Sequence, residues 1–306
     1  MLPSLSGTTQ QYLADLQRMN SQLTDLTRQL STGLRVNSVS DDPFAVPGIL
    51  STESQISQIQ QSQTNLSNLK VELQTGDSAL TQAIQNVQSA SSIASQATGM
   101  SVTPEARAAL VTQVQGILQN LVKLSGTTAA GRFIFSGDLD QQALYTLDAT
   151  QPTGVRQLAT ANSTRVVTDA NGSQIWLSKT ATEIFDHRNP DNSVATDNVF
   201  AAVNGLLTAL QNNDNTALMT SIANLKAADE HLNQEQGYYG IGESRVNDSL
   251  NMATTSLLSL QQNLSNLRDA NVAQDAVELN QITVQQQAAL SARAKIGGTN
   301  LFDFLA

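Results

Sequence analysis

The sequence predicts a mainly α protein in which both chain ends form a long antiparallel coiled coil or helical bundle, with a small β-rich domain inserted between them. At each end, apolar residues alternate four and three apart, the spacing that keeps one narrow seam on a helix face. Near the middle the pattern changes to short β-type runs. Only 14% of the residues are charged and 4% aromatic, so the composition suits helix surfaces and small-residue contacts better than aromatic-rich globular cores.

The first helix carries its seam on Tyr12, Leu16, Met19, Leu23, Leu26 and Leu30. Asp15 with Arg18, and Asp25 with Arg28, lie three apart on other faces and read as solvated pairs. Gly33 ends this helix, and the capping and turn residues from Leu34 to Pro43 prepare a new start between Pro43 and Pro47. A second helical stretch, Ile49 to Ser95, turns Ile56, Ile59, Leu66, Leu69, Leu73, Leu80, Ile84 and Val87 inward, with Gly76 as its weak point. After a turn from Gly99 to Pro104, a third runs from Glu105 to Ser125.

From Arg132 to Lys179, the runs Phe133-Ile-Phe135, Ala143-Leu-Tyr145, Arg165-Val-Val167 and Ile175-Trp-Leu177 read as short strands. Asn171-Gly172 lies between the last two as a hairpin signal, because both turn positions need positive φ. Helical texture returns near Asn198, continues from Ala217 to Glu235, and bends at Gly237 to Gly242. Beyond the bend, Val246, Leu250, Ala253, Leu257, Leu260, Leu264 and Leu267 form a second seam. The last helical segment, Ala273 to Ile296, keeps Ala276, Leu279, Ile282 and Leu290 apolar, and Leu301-Phe302-Asp-Phe304-Leu305 follows. The expected division is therefore a terminal coiled coil from 1–42 and 267–306, a helical bundle from 43–131 and 191–266, and a β-rich insertion at 132–190.

Charge and composition exclude several function classes. A formal net charge of −10 with no basic patch argues against nucleic acid and anionic membrane surfaces. No run reaches the roughly 18 apolar residues of a membrane span, so membrane insertion is not expected. Met1-Leu-Pro-Ser4 lacks the features of a cleaved secretory signal, which gives a cytoplasmic default unless a dedicated apparatus exports the chain uncleaved. With no cysteine, thiolate metal sites and cysteine nucleophiles are ruled out.

Candidate chemistry is sparse. The two histidines, His187 and His231, have no metal-ligand partner at helical spacing, so neither a metal nor any other cofactor is expected. Asp186-His187 reads as a polar loop, there being no nucleophile motif to partner it. Asp41-Asp42 before Pro43 reads as helix-start chemistry, not a paired acid and base. Gly237-Tyr-Tyr-Gly-Ile-Gly242 lacks the strand and Lys of a phosphate loop. Phe133, Phe135 and Trp176 read as the insertion's own core. No catalytic residue is assigned. Periodicity leaves the two terminal seams equally open to an intramolecular bundle and to packing between subunits.

Three blocks resemble the bacterial flagellin superfamily. The first is Gln29-Leu-Ser-Thr-Gly-Leu-Arg-Val-Asn-Ser-Val-Ser-Asp-Asp-Pro43, with Gly33, Arg35, Asn37, Asp41, Asp42 and Pro43 at the motif positions. The second is Gly131-Arg-Phe-Ile-Phe-Ser-Gly137, with Gly131, Phe133, Phe135, Ser136 and Gly137. It resembles the branch of the family that joins hook to filament. The third is Leu267-Arg-Asp-Ala-Asn-Val-Ala-Gln-Asp-Ala-Val-Glu-Leu279 and the Gln-rich helix after it.

The resemblance implies a non-enzymatic structural subunit of the flagellum, exported without signal cleavage and located outside the cell. Its partners would be copies of itself in a ring or filament, a neighbouring hook-associated subunit and flagellin, with an export chaperone before assembly. It further implies an assembly interface on Tyr12, Leu16, Met19, Leu23, Leu26, Leu30, Leu279, Ile282, Leu290, Leu301, Phe302, Phe304 and Leu305. Arg35, Asp41 and Asp42 would bridge or cap the joint between the two inner domains. The alternatives are a flagellin that forms the filament itself and an unrelated helical scaffold.

Overall fold

The computed structural model describes residues 7–98, 103–164, 166–168, 174–176 and 179–296. Among the described residues it is mainly α, with short antiparallel strands in a middle insert. The helices are α1 (Gly7–Thr32), α2 (Val46–Thr98), α3 (Pro104–Ser125), α4 (Ala181–Ile184), α5 (Val199–Asn212), α6 (Asn215–Arg268) and α7 (Val272–Ile296). The strands are β1 (Thr128–Ala129), β2 (Arg132–Phe133), β3 (Tyr145–Leu147), β4 (Val155–Gln157), β5 (Val166–Thr168) and β6 (Gln174–Trp176). They pair antiparallel as β1 with β2, β3 with β4 and β5 with β6, making three separate two-stranded sheets. Among the described residues, no helix is long and apolar enough to cross a membrane.

Local chemistry sets the helix ends. Gly33 adopts φ +71°, and its N–H donates to the Gln29 carbonyl at 2.8 Å, closing α1 with the left-handed cap that glycine adopts without strain. Pro104 opens α3 behind Thr103, whose hydroxyl accepts from the Ala106 amide. Thr180 and Glu183 form a reciprocal capping box on α4. Asn198 caps α5 by accepting from the Ala201 amide at 2.9 Å.

The chain divides into two compact units, residues 1–58 with 256–306, and residues 59–255. The second holds the large core. There Leu66, Leu69, Leu73, Leu80 and Val87 of α2 are buried with Val114 and Leu121 of α3, Phe200, Val203 and Leu206 of α5, and Leu225, Leu232 and Val246 of α6. The insert contributes Phe135, Leu144, Tyr145 and Val155 to this same core. Phe135 meets Phe185 edge-on at 5.8 Å and Tyr239 at 6.0 Å, while Phe185 stacks on Phe200 at 5.7 Å. Phe133 is half-buried at the rim. The Trp176 side chain and the Asn171-Gly172 turn lie outside the described residues. β5 and β6 pair antiparallel, Val166 opposite Trp176 and Thr168 opposite Gln174.

Two expected features are corrected. The predicted bend at Gly237 to Gly242 does not form, because α6 runs unbroken from Asn215 to Arg268. The cause is tertiary. Tyr239, in the middle of the glycine cluster, is buried, and its ring fits over Gly76 of α2, where a Cβ would stand 2.5 Å from Tyr239 Cε1. Holding the helix through the glycines seats this ring, and burial of a large aromatic offsets the roughly 0.5–1 kcal/mol by which each helical glycine is disfavoured. Gly76 is thus a seat for Tyr239 and not a weak point of α2, which continues through it.

Candidate assembly site at the chain ends

In the unit formed by residues 1–58 and 256–306, the two ends of the chain pack together as α1 against α7. The pairing is antiparallel. The Tyr12 hydroxyl donates to the Ala289 carbonyl at 3.2 Å, and the Gln286 amide donates to Asn20 Oδ1 at 2.7 Å. Arg293 donates to Thr9 Oγ1 at 3.2 Å and lies over the Tyr12 ring, 5.7 Å from its centroid.

Burial along this pair is incomplete. Leu26 and Ile282 are buried, whereas Tyr12, Leu16, Met19, Leu23, Leu30 and Leu279 are half-buried and Leu290 is exposed. Val277 and Val284, seven residues apart on α7, are also exposed. Leu301, Phe302, Phe304 and Leu305 lie outside the described residues. Of the second seam, Val246 and Leu264 are buried and Leu250, Leu257, Leu260 and Leu267 half-buried. Leu264 packs with Val36 and Ile49 in a small core flanked by Ala45, Val46, Ile56 and Leu267.

Between α1 and α2 the chain forms a joint with the α6–α7 connection. The Gly33 carbonyl accepts from the Ala270 amide at 3.0 Å, and the Arg268 carbonyl accepts from the Arg35 and Val36 amides at 2.7 and 3.1 Å. The Arg35 guanidinium links the two segments, donating to Asp42 Oδ2 at 2.8 Å and to the Leu267 carbonyl. Asp42 Oδ1 accepts from the Ala45 amide at 3.1 Å, at the entry to α2. Asp41 faces elsewhere. Its Oδ2 accepts from the Asn37 and Ser38 amides at 2.9 and 2.8 Å, and its Oδ1 accepts from Arg28 at 2.9 Å. The Asn37 side chain donates to the Leu34 carbonyl at 2.8 Å. Arg268 reaches back to Glu53 at 3.1 Å.

These partners hold both carboxyls below the ordinary carboxylate range. For Asp41 the largest cause is the backbone N–H of Ser38, then that of Asn37. For Asp42 it is the hydrogen bond from Arg35, then the Ala45 amide. Pro43 is exposed, and beside it Phe44 is 96% exposed, an aromatic side chain that sequence reasoning passed over. Nothing in its local sequence signals that exposure, because Phe44 reads as one more apolar residue at the head of an amphipathic helix.

The second block belongs to the other unit. Ala130 and Gly131, with φ of +49° and +78°, form the two-residue loop of the β1–β2 hairpin. Phe135 is buried, the buried Ser136 hydroxyl donates to the Gln142 carbonyl at 2.8 Å, and Gly137 has φ +58°. The block is therefore a turn and a core segment.

Asp186 and His187 do not act as a pair. Asp186 is buried and accepts from Tyr145, Arg188 and Asn198, while His187 Nδ1 lies 2.8 Å from Asp197 Oδ1. Burial pushes the Tyr145 phenol above its ordinary range, and the Asp186 carboxylate adds to this, so Tyr145 remains a donor. His187, Asp197 and His231 come together as a group of possible metal ligands. Local spacing could not reveal them, because His231 on α6 is far in sequence from the loop that carries His187 and Asp197.

A mainly α chain whose two ends pair as antiparallel helices, with a linked joint where both helices stop, defines a class of helical subunit with apolar surface left over at its ends. Residues 5–140 match the bacterial flagellin N-terminal helical region, and residues 222–305 match the bacterial flagellin C-terminal helical region. The chain belongs to the bacterial flagellin family, whose members are structural proteins and not enzymes.

It is similar to flagellar hook-associated protein 3 of Escherichia coli (strain K12), 32% identical over 193 residues, 60% of this chain and 58% of that protein. It is also similar to flagellar hook-associated protein 3 of Salmonella typhimurium (strain LT2), 29% identical over 213 residues, 66% of this chain and 64% of that protein. The similarity thus spans less than two thirds of these relatives. A solved structure assigned as a flagellar hook-associated protein from Vibrio parahaemolyticus matches 75% of this chain and 100% of that one, with a TM-score of 0.65 and 21% identity, a likeness of fold.

Proposed function

We propose that the protein is a structural subunit of the bacterial flagellum that joins hook to filament, assembling into a short helical ring through its paired ends. The observation that carries this reading is the half-buried α1–α7 seam with Val277, Val284 and Leu290 exposed beside it. Apolar side chains in a helical row remain exposed to water unless a neighbouring helix covers them. The assembly interface would be the terminal pair 1–42 and 267–306, with 43–131 and 191–266 as bundle and 132–190 as insertion. Partners would be further copies of this chain, a neighbouring hook-associated protein on one side and flagellin on the other. Export without signal cleavage, chaperone protection beforehand and a final place outside the cell belong to the same reading.

Electron microscopy of a strain lacking the gene, with its culture supernatant assayed for flagellin, tests it. The expected outcome is intact hooks without filaments and flagellin lost to the medium. Finding this chain as the bulk of sheared filaments would overturn the junction role in favour of a filament subunit. Substituting Leu23→Asp or Leu260→Asp should block assembly while residues 132–190 stay folded, and normal filaments from these variants would count against the seam.

A further inference from the structure

We propose that His187, Asp197 and His231 form a binding site for one divalent transition-metal ion, zinc being the best fit, which fastens the loop between α4 and α5 to α6. The chain has only two histidines, and the fold stacks them with ring centroids 5.0 Å apart and planes 8° from parallel. Asp197 serves both, with Oδ1 2.8 Å from His187 Nδ1 and Oδ2 3.7 Å from His231 Nδ1. One donor atom from each residue falls within 4.8 Å of the others.

The hydrogen bonds of His231 decide what this group can hold. Its Nε2 is 3.0 Å from the Glu183 carbonyl oxygen, which can only accept, so Nε2 carries the proton. In the neutral ring Nδ1 then keeps its lone pair, and the carboxylate oxygen 3.7 Å away is too far for a charge-assisted hydrogen bond. A single metal ion between them would take both neutral rings and the carboxylate as ligands.

Tetrahedral zinc holds nitrogen and oxygen at about 2.0–2.2 Å, which sets its ligands roughly 3.3–3.6 Å from one another, so donor atoms that already lie within 4.8 Å need only a small inward shift. Two imidazoles and one carboxylate select zinc or its transition-metal neighbours over magnesium or calcium. His187 is accessible enough for water to complete the coordination.

The surroundings are built to hold these ligands. The Glu183 carbonyl fixes the His231 tautomer as an outer-shell acceptor does in metal sites, and Glu183 is itself held by the capping box with Thr180. The Asn198 side chain donates to the His187 carbonyl at 3.0 Å and to Asp186 Oδ1 at 2.7 Å, tying together the two ends of the loop that carry His187 and Asp197.

With only two histidines, the full-length chain labelled with 15N-histidine gives a direct readout. After chelator treatment it is titrated with zinc chloride, and with magnesium chloride as the contrast. Zinc should saturate at one ion per chain, shift the His231 Nδ1 resonance while Nε2 stays protonated, and raise the melting temperature, with magnesium doing none of these. His187→Asn, at an accessible position, and Asp197→Asn should each weaken zinc binding by about tenfold or more. An imidazole spectrum that zinc leaves unchanged would overturn the site, as would wild-type zinc affinity in both variants.

Discussion

Asp41 and Asp42 are neighbours in the chain but do different work. Asp41 folds the loop after α1 by accepting two backbone amides and Arg28, whereas Asp42 takes Arg35 and the amide that opens α2. Both groups are bonded as carboxylates, and both have folded pKa values below the ordinary one. The sign follows from that depression: their contribution is complete above the ordinary value of 3.8 and is lost as the pH falls through the lower folded values. The joint should therefore hold its form from neutral pH into mild acid and open only below that value. Amide protection at Asn37, Ser38 and Ala45, followed by NMR against pH, measures it, and loss of protection already at pH near 6 would contradict the assignment. Asp42→Asn should remove part of this acid transition, because an amide cannot match the charge of Arg35.

At the scale of elements, two glycines on packed helices should respond in opposite ways. A Cβ at Gly240 of α6 meets nothing within 4 Å, so Gly240→Ala should stabilise the unit by about 0.5–1 kcal/mol through helix propensity alone. A Cβ at Gly76 collides with the Tyr239 ring, so Gly76→Ala should cost about 1–3 kcal/mol by overpacking. Urea midpoints of the two variants test the pair, and a destabilising Gly240→Ala would restore the bend that glycine content predicts. The contrast also marks what was legible in the sequence. Helices α1, α2, α3 and α5 announce themselves because a repeated apolar period is written along the element itself. The joint was legible as a motif, Arg35 and Asp42 included, but its second partner, the Leu267 carbonyl, is a backbone atom from the far end of the chain. The same limit hid the seat of Tyr239 and the convergence of His187, Asp197 and His231. Each depends on residues that only the folded chain brings together, and a local reading of glycine or histidine carries no trace of them.

For the whole molecule, apolar burial is unevenly shared. The unit of residues 59–255 buries leucines, phenylalanines and tyrosines from α2, α3, α5 and α6 and from the insert. The unit of chain ends has its small core of Val36, Ile49 and Leu264, with Leu26 and Ile282 buried along the α1–α7 pair. Hydrogen exchange follows such differences, because helices with few buried side chains open at low free energy. In dilute solution α1 and α7 should thus exchange far faster than α2 around Leu66 to Val87 and α5, and should gain protection when the protein assembles. Phe44 separates assembly from folding. It stands almost wholly in water beside the joint, so Phe44→Ser should change monomer stability by no more than about 0.5 kcal/mol. If Phe44 is covered by a neighbouring subunit, the same substitution should weaken assembly and abolish the gain in α1 and α7 protection, an aromatic side chain buried at an interface being a common energetic anchor. Comparing exchange in the wild type and Phe44→Ser, each before and after assembly, settles the matter. Strong protection of α1 and α7 in the dilute wild type would mean that the ends are complete by themselves, and the exposed row on α7 would then need another explanation.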